Sequence, residues 1–172
     1  LPSLRALGPV RRLVVPTGAA PLLRSVVADE VHEVRSGDEV DLAGVTVRAV
    51  PAVHSCRRGP HSRASAEPVG YVVEAGAVSV YFAGDTDLYD GMRDLGAVDV
   101  ALLPIWGWGP TLGEGHLDPE RAAAATAWID PGVVVPIHWG TYSPVRARPG
   151  APAWFDGPLD AFRAALAERS LA

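Results

Sequence analysis

The sequence contains no lysine: its fifteen basic residues are all arginine, set against twenty acids, for a net charge of −5. That balance argues against a surface built to coat nucleic acid. Cysteine is almost as scarce. The single one, Cys56, excludes an internal disulfide framework and any metal cage made of cysteines alone. No apolar run approaches the roughly 18 residues needed to span a membrane, because Arg, Gly or Pro interrupts each one. The opening Leu1-Pro2-Ser3-Leu4-Arg5 is neither an initiator methionine nor a leader, whose apolar stretch would not carry Arg11 and Arg12. A soluble, cytoplasmic chain is expected.

What is present suits one domain. A chain of 172 residues can bury roughly two-thirds of its unfolded surface, enough for a core without staples. A hydrophobic share of 48% excludes disorder as the main state, and 18 Gly with 16 Pro imply many short elements joined by tight turns. Leu1 to Leu7 reads as a short helix, Arg12 to Val15 as a buried strand, Ala19 to Val27 as a helix and Val31 to Val34 as a strand. Asp38 to Val53 alternates apolar and polar residues around Ala43-Gly44, which predicts a hairpin. A second hairpin is expected over Val69 to Ala83, turning at Ala75-Gly76-Ala77, after an exposed loop from Arg57 to Pro68. Leu88 to Leu95 suits a short helix, and Val98 to Ile105 and Val133 to Ile137 suit buried strands. Leu117 to Trp128 carries helix punctuation: Asp118 to cap, Pro119 at the first position and Glu120 in the first turn. Asp156 to Leu171 closes the chain as an amphipathic helix. The pattern predicts an α/β sandwich.

Three polar residues stand just beyond apolar strands, where side chains become reachable. They are His54 after Val50-Pro-Ala-Val53, Asp85 after Ala83-Gly84, and His138 after Val133 to Ile137. Alone, each is unremarkable: a histidine after a strand is commonly structural, and Asp85 before Thr86 can make a local turn. Together, imidazoles and a carboxylate suit a borderline divalent ion such as zinc, and also manganese or iron. A metal-bound water then becomes a hydroxide nucleophile near neutral pH.

These residues carry a family resemblance. Val50-Pro-Ala-Val-His54, Ala83-Gly-Asp-Thr86 and Pro136-Ile-His-Trp-Gly-Thr-Tyr142 resemble, in order and spacing, three consecutive motifs of the metallo-β-lactamase-fold hydrolases. The branch they resemble most includes ascorbate-6-phosphate lactonase and the N-acyl-phosphatidylethanolamine-hydrolysing phospholipase D. The resemblance implies a four-layer αββα sandwich and two metal ions, expected to be zinc. His54 would complete one metal site and His138 the other, with Asp85 bridging them. The family's His-x-His-x-Asp-His cluster, which supplies most of the ligands, does not occur in this sequence, and His32 and His61 stand alone. Leu1 to Leu7 resembles the segment that follows that cluster. The expectation is therefore a chain that is incomplete at its N-terminus, spanning the later portion of one domain over residues 1–172. Three ligands shared by two metals fall short of four-coordinate zinc, so weak metal binding and weak hydrolysis are expected of this chain alone.

His116, in Gly113-Glu-Gly-His-Leu-Asp-Pro119, resembles a segment that in phospholipase-like members places a histidine beside the metals. There it would steady a developing oxyanion or protonate a leaving group; the plain alternative is packing at a helix start. Arg57, Arg58 and Arg63 could bind a phosphate or carboxylate, or simply be solvated. Trp106, Trp108, Trp139 and Tyr142 could wall an apolar pocket or pack at its rim. Trp128 and Trp154 read as packing residues, and Cys56 as an inert thiol. The functional expectation is hydrolysis of an ester, lactone or phosphodiester bond in an anionic small molecule, with no nucleic acid, no membrane span, and homo-oligomerisation left open. The rival is a non-catalytic binding or structural module that keeps a partial metal site.

Overall fold

Strands β1 (Val10–Pro16) and β2 (Ala28–Val34) pair in parallel as a two-stranded sheet. The computed structural model describes residues 6, 8–23, 26–55, 66–107, 111–141 and 153–170, the last range without the side chains of 153 and 154. Nearly all of the expected helix over Leu1 to Leu7 and of the loop from Arg57 lie outside these residues. Between β1 and β2, the expected helix is a single 3₁₀ turn, Ala20–Leu23. Pro21 interrupts any longer hydrogen-bond ladder there, and the Glu33 carboxylate instead accepts from the N–H groups of Gly18 and Ala20 at 2.9 and 3.2 Å. β1 was expected to be buried, yet only Val15 is. Arg12 points outward to Glu30 at 3.1 Å, an exposed pair.

The larger sheet has six strands: β3 (Glu39–Asp41), β4 (Val45–Pro51), β5 (Val69–Ala75), β6 (Val78–Phe82), β7 (Val100–Pro104) and β8 (Val133–Ile137). They lie side by side in chain order. β3 to β6 form an antiparallel meander and β6, β7 and β8 are parallel. Both expected hairpins form. The first turns with Ala43 and Gly44 at φ 59° and 90°, the left-handed pair that matches the twist of the flanking strands. The crossover from β6 to β7 was expected to hold a helix over Leu88 to Leu95. It holds a 3₁₀ turn, Asp90–Asp94, anchored by fully buried Met92. At the other end of the sheet, Asp99 takes hydrogen bonds from the Ser79 N–H at 2.6 Å and hydroxyl at 3.0 Å, which hold its carboxyl below its ordinary range.

Helix α1 (Pro119–Ile129) bears out its punctuation. The Asp118 carboxylate accepts from the Arg121 N–H at 2.7 Å, and Asp130 closes the helix at φ 50° with its N–H on the Thr126 carbonyl. Replacing Asp118 by Ala is expected to cost about 1 kcal/mol, read as a lower urea midpoint with unchanged slope. Fully buried Ala122, Ala123 and Ala125 let α1 approach the sheet closely, and helix α2 (Ala153–Glu168) adds Phe162, Ala165 and Leu166 to the same core. Sheet residues Val50, Val72, Tyr81, Ala101 and Leu103 face these helices. Trp128 packs on this core with the Arg93 guanidinium 3.6 Å above its ring, and Trp139 packs there too.

On the opposite face, Val14 and Val34 of the small sheet pack against Val40, Ala49, Val69 and Tyr71. Helices, six strands and two strands thus form three layers of an α/β sandwich. Among the described residues no α-helix makes a fourth layer. β8 is a strand as expected but not a buried one: Val133 and Val135 are 55% and 39% exposed. Among the described residues it pairs with one strand, β7, and these valines lie on the face away from the helices. Val78 and Phe82 of β6 are exposed on that same face. Among the described residues no helix is long and apolar enough to cross a membrane.

Candidate metal centre

Because β4 and β6 are both antiparallel to β5, they run in the same direction, and β7 and β8 run with β6. Four strands therefore end at one rim of the sheet. His54 lies three residues past β4, Asp85 three past β6 and Trp106 two past β7, while His138 follows β8 directly. His116 reaches the same rim from the segment before α1.

The convergence is tight. Asp85 Oδ2 lies 3.3 Å from His54 Nε2, 3.3 Å from His116 Nε2 and 3.6 Å from His138 Nε2. His54 Nε2 and His116 Nε2 are themselves 3.3 Å apart. Each ring is oriented through its other nitrogen. His54 Nδ1 donates to the Ser55 carbonyl at 2.9 Å and His138 Nδ1 to the Trp106 carbonyl at 2.9 Å. His116 Nδ1 faces the carbonyls of Glu114 and Gly113 at 3.1 and 3.3 Å. A carbonyl can only accept, so Nδ1 donates in each ring, and Nε2 is the nitrogen each ring turns to the centre.

Backbone geometry makes this possible. Gly115 takes φ +80°, and a Cβ there would meet the His54 Cα and the Val53 carbonyl at 3.3 Å. A side chain at this position would push the His116 turn away from His54. Gly107 sits beside two rings, where a Cβ would fall 3.7 Å from His138 Cε1 and 3.9 Å from His116 Cδ2. His138 itself is held at φ 59°, a left-handed conformation uncommon for a side-chain-bearing residue and of a kind that clusters at functional sites.

Thr86 joins two of the ligand-bearing loops. It is fully buried, and its hydroxyl accepts from the Val53 N–H at 2.8 Å and donates to the Asp87 carbonyl at 2.9 Å. The Asp87 N–H returns a bond to the Val53 carbonyl at 2.9 Å. Asp87 also pairs with Arg121 of α1, tying the Asp85 loop to the helix that follows His116.

These residues fit a divalent metal. Three Nε2 lone pairs facing one carboxylate oxygen repel one another unless a cation or protons lie among them. Asp85 Oδ1 is buried and has no hydrogen-bond partner among the described residues. One proton can bridge the His54–His116 pair, whereas a cation satisfies the whole set. A tetrahedral zinc with bonds of about 2.0 Å separates its ligand atoms by about 3.3 Å, the spacing found here.

The strand ends therefore bring His54, Asp85 and His138 together, as the sequence suggested, with His116 among them. Arg57, Trp108, Tyr142 and Cys56 lie outside the described residues. The sequence offers Thr86 only as the neighbour of Asp85 in its motif, not as a tie between loops, and gives no sign of the carbonyls that orient the rings. Thr86 adjoins Asp85 and could have been singled out there, but a backbone acceptor has no residue signature.

Comparison with known proteins agrees with the geometry. The family model described as a beta-lactamase superfamily domain matches residues 1–139. The chain belongs to the beta-lactamase superfamily. Among superfamily relatives, a UPF0173 metal-dependent hydrolase of Methanopyrus kandleri is 38% identical over 126 residues, which cover 70% of this chain and 52% of that protein. A UPF0173 metal-dependent hydrolase of Thermococcus onnurineus is 42% identical over 115 residues, covering 64% of this chain and 47% of that one. The chain thus spans about half the length of the curated relatives it matches. Among solved structures, Igni18 of Ignicoccus hospitalis, described as a novel metallo hydrolase, aligns with a TM-score of 0.63 at 26% identity. That alignment covers 94% of this chain and 73% of Igni18.

Proposed function

We propose that this chain is the later portion of a single metal-dependent hydrolase domain, and that His54, Asp85 and His138 hold its divalent metal. The observation that carries this reading is the meeting of three imidazole Nε2 atoms at one carboxylate oxygen. A bound divalent ion supplies a Lewis acid and lowers the pKa of water, which is the chemistry hydrolysis needs near neutral pH. Asp85 contributes the negative charge of the set and, with two oxygens, can be shared between two ions. The carbonyls of Ser55 and Trp106 engage Nδ1, so His54 and His138 turn Nε2 toward the metal position. His116, which the sequence suggested as an assisting acid or oxyanion partner, presents its Nε2 to Asp85 and His54.

The finer parts of the reading rest on sequence resemblance. They are two zinc ions, membership of the lactonase and phospholipase D-like branch, and an anionic small molecule containing an ester, lactone or phosphodiester bond. Arg57 would hold its charge, and Trp108 and Tyr142 would wall the pocket. A cytoplasmic location goes with this reading. The matched segments cover only about half the length of those relatives, which supports a longer domain in which further ligands join these.

The test is hydrolysis of a lactone, a carboxylic ester and a phosphodiester by the metal-free chain with and without zinc or manganese. Slow turnover that appears with metal, disappears on chelation and returns on readdition is expected. Turnover that ignores the chelator, or none with either metal, would contradict the proposal.

A further inference from the structure

We propose that the hydroxyls of Tyr81 and Tyr89, with the guanidinium of Arg48, hold one internal water that ties together the two ends of the loop carrying Asp85. Tyr81 and Tyr89 are then positioning residues for the metal centre. The water site stands on the core alone, and its positioning role rests on the metal-dependent reading above.

Tyr81 lies four residues before Asp85 and Tyr89 four after it. Between them the chain leaves β6, passes the metal centre and returns to the 3₁₀ turn Asp90–Asp94. Arg48, Val72 and Tyr81 are direct cross-strand partners on β4, β5 and β6, so the three share the face of the sheet turned to the helices. The crossover turn packs on that face. Met92 is fully buried there, and Arg48 Nη2 donates to the Leu95 carbonyl at 2.7 Å. Tyr89 packs on the same core, its ring over Gly91, where a Cβ would meet Cε2 at 2.9 Å.

The surroundings are otherwise apolar, and both hydroxyl oxygens are buried without a hydrogen-bond partner among the described residues. Phenylalanine would fill the same space without the cost of burying a hydroxyl. The two hydroxyls are neighbours all the same. Burial pushes both phenols up; Tyr89 pushes Tyr81 up further, whereas Tyr81 and the Arg48 charge draw Tyr89 back. Groups close enough to perturb one another yet not directly bonded are the setting of a bridging water. Two hydroxyls and a guanidinium offer it three partners, the number a buried water commonly has. Each hydroxyl can donate to the water or accept from it, and Arg48 keeps donors beyond the one spent on Leu95. Tyr71 is the internal contrast. Its hydroxyl is also buried without a partner among the described residues, on the opposite face of the sheet, but there burial alone pushes the phenol up, to about 12.

The experiment is urea denaturation of the metal-free full chain, paired with zinc competition, for the unaltered protein, Tyr81→Phe, Tyr89→Phe, the double variant and Tyr71→Phe. Tyr81→Phe and Tyr89→Phe should each lower the urea midpoint by about 0.5 M with unchanged slope. The double variant should fall by less than the two shifts combined, because either change already releases the water. Tyr71→Phe should leave the midpoint where it is or raise it. Zinc affinity should fall by about tenfold in Tyr81→Phe and Tyr89→Phe and stay within about twofold in Tyr71→Phe. Midpoints that hold or rise in Tyr81→Phe and Tyr89→Phe, or shifts that simply add in the double variant, would overturn the shared water. Lowered midpoints with unchanged zinc affinity would overturn the positioning role. An unaltered chain that binds no zinc would overturn the metal-dependent reading and the positioning role with it, while the midpoints still decide the water site.

Discussion

Asp85→Asn should lower metal affinity by at least about 100-fold and reduce metal-dependent hydrolysis to background, while changing the stability of the metal-free protein by less than about 1 kcal/mol. The substitution keeps the shape of the side chain and removes its charge. Asp85 Oδ2 contacts three Nε2 atoms, and its Oδ1 is buried without a partner among the described residues. A carboxylate kept for stability would have both oxygens satisfied, so losing its charge would weaken the fold. A carboxylate kept for a cation leaves repulsion in the metal-free state, and losing its charge costs little there. The two roles separate in a pair of melting curves. Zinc at about 100 times its dissociation constant should stabilise the unaltered protein by about 2.7 kcal/mol, and Asp85→Asn by far less. An equal zinc-induced rise in both proteins would show that Asp85 is not a ligand.

Thr86→Val is expected to cost about 2–4 kcal/mol of stability and to weaken metal binding by about 10- to 100-fold, although Thr86 touches no metal ligand side chain. Valine fills the same space but neither accepts from the Val53 N–H nor donates to the Asp87 carbonyl. Both partners would then lose that bond in a part-buried setting beside fully buried Thr86, at about 1–2 kcal/mol each. Val53 precedes His54 and Thr86 follows Asp85, so the bond between Val53 and Thr86 helps set the separation of the two ligands. Thr86→Ser keeps the hydroxyl and should recover most of the metal affinity, losing only about 1 kcal/mol for the methyl group. Urea denaturation and zinc competition measure the two effects separately. Native metal affinity in Thr86→Val would show that the Val53–Thr86 tie does not position the site.

The parts of this molecule that could be read from sequence are those fixed by near neighbours. Val40 and Val47 alternate around Ala43-Gly44, so the hairpin is written locally. Asp118 and Pro119 mark the start of α1 by the same short-range logic. His54, Asp85 and His138 were legible because apolar strands point to their own ends, and parallel strands end together. The failures have physical causes too. Pro21, and the shortness of both crossover segments, turned two expected helices into 3₁₀ turns. The run from Val133 to Ile137 has the composition of a buried strand, yet burial depends on what lies across the sheet, which composition does not encode. His116 reads as a residue beside the metals when only its segment is considered. Its ring nitrogen reaches Asp85 and His54 because of a left-handed glycine turn and two backbone carbonyls, and the carbonyls have no sequence signature.

The most direct test of the account is equilibrium dialysis of the metal-free chain against micromolar zinc, read as zinc bound in excess of the free ion. The account predicts zinc bound in proportion to the chain, approaching about one per chain as zinc rises, and its loss in Asp85→Asn. A chain that emerges without zinc, or a variant that retains it as well as the unaltered protein, would contradict the claim that this cluster is a metal centre.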